Sequence, residues 1–264
     1  MAKKTKHTEE IEKRRLKISL IPPSILLSIL WFVKIVEIVF HKSFVTYGIY
    51  PLKPEGLKGI LFSPFIHGSL EHLYHNSLPI LILFWALLYF YHRIAWKVIL
   101  FIWLFSGLGT WLFGRPSYHI GMSSIIYGLF TFLFFSGLFR KNNHLTAVSL
   151  LVIFLYGSMV WGVFPEFTVK DNISWEGHAA GAVTGLVLAF IYREEKTFAE
   201  WQSALLEKDP DENIEKHFWF RASAIHHSLP DVPPLPVKIK MIYPGKHTKT
   251  IRRQKAEGGI VTGD

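Results

Sequence analysis

Cysteine is absent from the 264 residues, which excludes a disulfide framework and leaves no cysteine signal of redox compartment. Charge is scarce: 19% of residues are Asp, Glu, Lys or Arg, while 50% are hydrophobic and 16% aromatic. A soluble domain of this length carries more charge and fewer long apolar runs. Acidic residues are the scarcer sign, 20 against 29 basic, for a formal net charge of +9. Such an excess alone points to nucleic acid, but the positives gather at the two chain ends and flank apolar segments, the positive-inside pattern. The partner expected is a lipid bilayer, with no nucleic acid. No internal repeat stands out. The first apolar run is too long, and too far from a small-residue cleavage site, for a removed signal peptide, so it reads as a retained span.

About twenty apolar residues cross the hydrocarbon core as a helix. Six stretches come near that length: 18–40, 67–91, 94–113, 121–139, 145–164 and 174–192. All are read as helices, because an isolated strand cannot satisfy its backbone in lipid. The fold class expected is an all-α, multi-pass membrane protein. A short basic arm (1–17) precedes the membrane domain (18–192), and a tail of low order (193–264) follows it. The arm carries Lys3, Lys4, Lys6, Lys13, Arg14, Arg15 and Lys17, which places the N-terminus in the cytosol. The short loops at Arg93 and at Arg140 and Lys141 then fall on the same side, as does the tail, as expected for a cell (inner) membrane. The first loop, about 41–66, holds Lys42, Lys53 and Lys58 on the other side. The tail holds Pro230, Pro233, Pro234 and Pro236, which resist regular structure, after an amphipathic helix near 198–206.

This topology brings chemistry together. Spans two, four and six all enter from the non-cytosolic side, and each begins with polar residues: His72 and Asn76, Ser123, and His178. Chance would scatter them between the two faces. Polar groups are expensive at bilayer depth, so an intramembrane hydroxyl and imidazole form a functional hypothesis by default. Ser123 supplies a hydroxyl that needs a base, and His178 supplies an imidazole that titrates near neutrality. Taken singly, Ser123 reads as a packing serine and His178 as a satisfied interior histidine. Gly177, Gly181 and Gly185 recur every fourth residue, the small-xxx-small pattern that lets membrane helices touch. That close approach is also what a Ser–His hydrogen bond across two helices needs.

Tyr127, one turn below Ser123, either packs under the imidazole or is an ordinary core tyrosine. His72 and Asn76, four apart, share a face and can donate to an oxyanion together with the Ser123 amide; interhelical glue is the plain alternative. His67 is assigned to loop or helix support, pointing away from His72. Glu71 and His75 fall on the His67 stripe. No third member orienting His178 is evident, with Asp171 and Glu176 nearby in sequence, so a dyad is expected. Lys34 and Glu37, three apart in the first span, pair or snorkel outward.

The pattern His67-x4-His72-x3-Asn76, then Gly121-x-Ser123, then His178-x2-Gly181, resembles the rhomboid intramembrane serine proteases over residues 18–192. The resemblance implies a six-helix bundle with a water-filled cavity open to the outside. It implies a Ser123–His178 dyad, with His72, Asn76 and the Ser123 amide as oxyanion hole. Tyr127 matches the tyrosine that packs on the histidine, and Gly121, Gly181 and His67 fall in supporting positions. The substrates implied are single-pass membrane proteins, cut where helix-breaking residues expose a bond; neither cofactor nor metal is implied.

Two departures accompany the likeness. Ser124 follows the nucleophile where the family has Gly or Ala, which either crowds the oxyanion pocket or offers a competing hydroxyl. The first loop lacks the family's Trp-Arg pair. Two other readings stand beside the protease. One is a non-catalytic rhomboid-like protein that binds membrane helices. The other is a metal site on His67, Glu71 and His75, at successive i, i+4 steps, although the His-Glu-x-x-His order is missing.

Overall fold

The computed structural model describes residues 2–141 and 174–208, with seven isolated positions between 143 and 164. The expected fifth span, 145–164, and the proline-rich tail lie outside the continuously described residues. What is described is helical: α1 (Ala2–Val39), α2 (Gly59–Phe62), α3 (Leu70–Phe90), α4 (Ala95–Phe113), α5 (Ser123–Phe139), α6 (Trp175–Ile191) and α7 (Phe198–Lys208). Three segments are long and apolar enough to cross a membrane: Glu12–Val39, Leu70–Phe90 and Ala95–Phe113. The helices α5 and α6 are equally apolar but have 17 residues each.

The helices pack through a continuous apolar core. Leu73, Ile80, Leu83 and Leu87 of α3 meet Val98 and Ile102 of α4 and Ile126, Leu129 and Phe132 of α5, all buried. Elsewhere the apolar residues face out, as on α1, where Ile25, Phe32 and Ile35 are more than half exposed. That inversion suits a lipid surround. The axis of the bundle is the pair α5–α6, flanked by α4, while α1 lies along α3. A Cβ on Gly181 would land on the carbonyl oxygen of Ser124, and one on Gly185 on that of Gly128. The two backbones therefore touch, and Thr131 Oγ1 on α5 seals the contact by donating to the Ala182 carbonyl of α6 at 2.9 Å.

Several sequence expectations shift at their edges. The second and fourth expected spans, α3 and α5, start at Leu70 and Ser123, so His67 and Gly121 belong to the preceding loops. The basic arm is not separate: α1 runs unbroken from Ala2 through Pro22 and Pro23. Arg15, expected in that arm, is buried. It pairs with Glu12 at 2.8 Å, donates to the Tyr89 carbonyl at 2.6 Å and lies 3.5 Å over the Phe198 ring. Phe198 opens α7, is fully buried, and packs edge-on against His92 and tilted against Trp201. Packing of the chain thus continues past the boundary expected at 193. An aromatic end on a short amphipathic helix buries enough surface to hold it against the bundle.

The first loop is folded, not slack. Trp103 and Trp111 of α4 donate to the Ile60 and Lys53 carbonyls at 2.7 and 2.9 Å. Ile49 and His119 exchange both backbone hydrogen bonds, at 2.9 and 2.8 Å. The loop is thereby tied to segment 114–122, which leads into α5.

Candidate active site

Three helix beginnings build the site. Ser69 caps α3, its hydroxyl accepting the His72 N–H at 3.0 Å. That cap fixes His72 in the first turn and Asn76 one turn further on the same face. Ser174 caps α6 in the same way, accepting the Gly177 N–H at 3.3 Å, and His178 follows one turn on. Ser123 is the first residue of α5, where backbone N–H groups have no helical partner.

Gly121 shapes the turn before Ser123. Its φ is +105°, a region that favours glycine, and its N–H donates to the Ser63 carbonyl at 2.9 Å. A Cβ there would stand 2.9 Å from His72 Cε1, 3.1 Å from His72 Nε2 and 3.9 Å from Asn76 Nδ2. The missing side chain is therefore what lets the α3 face close on the start of α5. Asn76 is 7% exposed and its amide nitrogen has no hydrogen-bond partner among the described residues. A buried amide donor left unmade is costly in an ordinary core.

Across the α5–α6 contact, His178 Nε2 lies 2.8 Å from Ser123 Oγ. The imidazole is buried and stacks on the Tyr127 ring, centroids 4.2 Å apart and planes 14° from parallel. With Nε2 as acceptor, the ring is in the Nδ1–H tautomer and can take the serine proton. The arrangement offers a hydroxyl, a base held in one rotamer and an unsatisfied donor at one depth, the parts acyl transfer requires.

Two expectations for nearby residues change. His67 does not point away from His72: the ring centroids are 5.2 Å apart at 68°. The helical period does not reach His67, which lies in the loop that folds back over the first turn of α3. Its Nε2 accepts the Met122 N–H at a long 3.5 Å, so its support reaches the residue before Ser123. Outside the membrane-spanning helices and buried, its imidazole is pushed down to about 3, mainly by burial and further by the charges of His72 and Lys34. It is therefore neutral, as an acceptor of that N–H needs to be. The metal set also separates, since Glu71 and His75 are exposed and 3.7 Å apart while His67 is buried. Among the described residues, no group of three or more metal-ligating side chains is close enough to hold an ion.

Sequence reading missed the supports. Lys34 and Glu37 do pair, at 3.0 Å, but inward. Lys34 donates to the His67 carbonyl at 2.8 Å, and Glu37 accepts the Phe44 N–H at 2.7 Å. The pair fastens α1 to both ends of the first loop and so to the α3 cap. Lys at i and Glu at i+3 inside an apolar run was the available signal. Glu176 engages Arg115, its carboxylate accepting the Arg115 backbone N–H at 3.2 Å with the Arg115 side chain at 3.5 Å. Asp171 lies outside the described residues. Ser124 turns toward α6, its Cβ 3.7 Å from where a Gly177 Cβ would stand.

The chain is similar in sequence to other proteins. An uncharacterized protein of Mycobacterium tuberculosis is 36% identical over 171 residues, 62% of this chain and 71% of its own. One from Mycobacterium leprae is 34% identical over 172 residues, covering 62% and 68%. A protein of Acanthamoeba polyphaga mimivirus named as a rhomboid protein is 28% identical over 150 residues, covering 55% and 81%. The Rhomboid domain model matches residues 54–195, a stretch running from the first loop past the end of α6 and so taking in His72, Asn76, Ser123 and His178. By that match, which spans more than half of the sequence, the chain belongs to the rhomboid family.

Proposed function

We propose that the chain is an intramembrane serine endopeptidase that hydrolyses peptide bonds of single-pass membrane proteins. The observation that carries the reading is the 2.8 Å contact between Ser123 Oγ and His178 Nε2. In the reaction, Ser123 Oγ attacks the scissile carbonyl carbon while His178 Nε2 takes its proton. The carbonyl oxygen becomes an oxyanion held by Asn76, His72 and the Ser123 N–H. Collapse expels the amine, which leaves with the proton from His178, and the acyl chain stays on Ser123. Water, deprotonated by His178, then attacks the ester, releasing the carboxylate and restoring the hydroxyl.

The short helices support a site below the surface. A 17-residue helix rises about 25 Å, less than the ~30 Å hydrocarbon core. Starts of α5 and α6 beneath the membrane rim leave room for water above them. Six crossings, with residues 145–164 as the fifth, then put both termini in the cytosol of a cell (inner) membrane, and the basic loops agree with that orientation.

A non-catalytic helix binder is the second reading, and it rested on Ser124. Against it, the Ser124 Cβ lies beside α6, 3.7 Å from where a Gly177 Cβ would stand. Cleavage of a panel of single-span substrates separates the readings: wild type cuts at least one and Ser123→Ala cuts none. Binding without cleavage by folded wild type would favour the binder.

Two smaller effects test the parts. Asn76→Ala lowers kcat about 10–1000-fold, the loss of one oxyanion donor, with little change in thermal unfolding, because the amide it removes has no partner to orphan. An unchanged kcat removes Asn76 from the hole. Tyr127→Ala removes the stack under the imidazole, worth about 0.5–1.5 kcal/mol, and slows turnover roughly 3–10-fold through a less ordered His178. Substrate kinetics for the purified variant check this.

A further inference from the structure

Segment 114–122 ends just before Ser123, and it also grips the helix that carries His178. His119 is buried in this segment, outside the membrane-spanning helices. Its Nε2 lies 3.0 Å from the Arg115 carbonyl oxygen. A carbonyl only accepts, so Nε2 carries the proton. Burial lowers the imidazole pKa, outweighing the raising effects of the Arg115 carbonyl and Glu176. The ring is thus neutral, and Nδ1 offers a bare lone pair. Ser174 Oγ stands 2.6 Å from that nitrogen and donates to it, while accepting the Gly177 N–H at 3.3 Å. The hydroxyl thus joins the α6 cap to His119, accepting on one side and donating on the other.

The register is the telling feature. His119 precedes Ser123 by four residues, and Ser174 precedes His178 by four. The His119–Ser174 contact therefore sits one step before the Ser123–His178 contact on both partners. On the other side of His178, Gly181 rests on the Ser124 carbonyl. A helix held at a single point can pivot; held on either side of His178, its first turn is fixed in height and rotation. The backbone of His119 is itself anchored to Ile49, so the grip does not drift with the segment.

From this geometry we infer that His119 is a positioning residue: through the Ser174 hydroxyl it holds the first turn of α6 so that His178 Nε2 stays within hydrogen-bond reach of Ser123 Oγ. The inference rests on the reading of Ser123 and His178 as a catalytic pair. It differs from a packing role because it depends on one lone pair at one ring position.

Two conservative variants separate these. His119→Asn sets a carbonyl oxygen near the place of Nδ1 and keeps an acceptor for Ser174. His119→Gln sets an amide nitrogen near the place of Nε2 and keeps only the donor to Arg115. The readout is the rate at which a fluorophosphonate labels Ser123 in the full-length protein in liposomes, with thermal unfolding of the same samples. The expected result is that His119→Asn labels close to the wild-type rate. His119→Gln and Ser174→Ala each label about 10–100-fold more slowly, the scale of a misplaced base. The double variant His119→Gln/Ser174→Ala is no slower than the slower single, because both remove one interaction.

Equal slowing by Asn and Gln, or losses that multiply in the double variant, overturns the inference. Should Ser174→Ala fail to fold, the Asn–Gln contrast decides alone, since both keep the backbone bridge to Ile49. Labelled wild type with unslowed His119→Gln overturns this inference only; folded wild type that never labels overturns the proposed hydrolase and this inference with it.

Discussion

Replacing His178 by alanine lowers peptide hydrolysis by about four to six orders of magnitude, the scale on which a serine hydrolase loses activity when its base is removed. Among the described residues the side chain in contact with the serine hydroxyl is the His178 imidazole, at 2.8 Å, and the ring beneath it is Tyr127. His67 faces Met122 and is packed against His72, so it cannot substitute without rebuilding the loop. Folding survives the change. The α5–α6 contact is made by backbone at Gly181 and Gly185 and by the Thr131–Ala182 hydrogen bond, none of which uses the imidazole. The stack on Tyr127 is lost, a destabilisation of about 0.5–1.5 kcal/mol beyond the burial itself. Turnover of a single-span substrate, measured beside thermal unfolding, checks both halves. Cleavage retained in a folded His178→Ala protein refutes the dyad.

The second large effect is at Gly181. Gly181→Val is expected to lower both stability and rate, because its Cβ falls on the Ser124 carbonyl oxygen, which is backbone and cannot swing away. The helices have to part. Overpacking of this kind costs about 1–3 kcal/mol, sometimes more, and a shift near 1 Å between hydroxyl and base costs roughly 100-fold in rate. Gly177→Ala is the internal comparison. Its nearest neighbours are Ser174 Oγ at 2.9 Å and Thr110 Oγ1 at 3.3 Å, side-chain atoms about 1 Å or more farther off than the backbone oxygen that Gly181 meets, though the first is the hydroxyl that caps α6. The expected order is therefore a large loss for Gly181→Val and a smaller one for Gly177→Ala, by labelling rate and by unfolding temperature. A Gly181→Val protein with wild-type rate and stability contradicts the role given to the close approach.

How much of this was legible before the coordinates depends on the kind of contact. Helical residues at fixed spacing were readable: His72 with Asn76, Ser123 with Tyr127, and the glycines of α6 follow from the helical period alone. Residues whose role depends on a folded loop were not. A helical stripe would turn His67 away from His72, but His67 lies before the Ser69 cap, where the period no longer applies. Ser69 and Ser174 were the capping signals that could have set those helix starts. His119 gave no signal by spacing, because it lies in the loop before α5, where no helical period applies, and meets Ser174 only when α4, α5 and α6 are assembled. Lys34 and Glu37 were visible as charges in an apolar run, but not the loop carbonyl that turns them inward. The charges of the basic arm mark topology, whereas helix continuity depends on backbone, and the aromatic rings on α3 and α7 that cover Arg15 lie far from it in sequence.

The central claim is that the Ser123 hydroxyl is activated by His178, and mass spectrometry of the protein after fluorophosphonate treatment tests it most directly. The account predicts one phosphonyl adduct on the peptide bearing Ser123, absent in Ser123→Ala and strongly slowed in His178→Ala. An adduct on Ser124 instead, or none on folded wild-type protein, would contradict it.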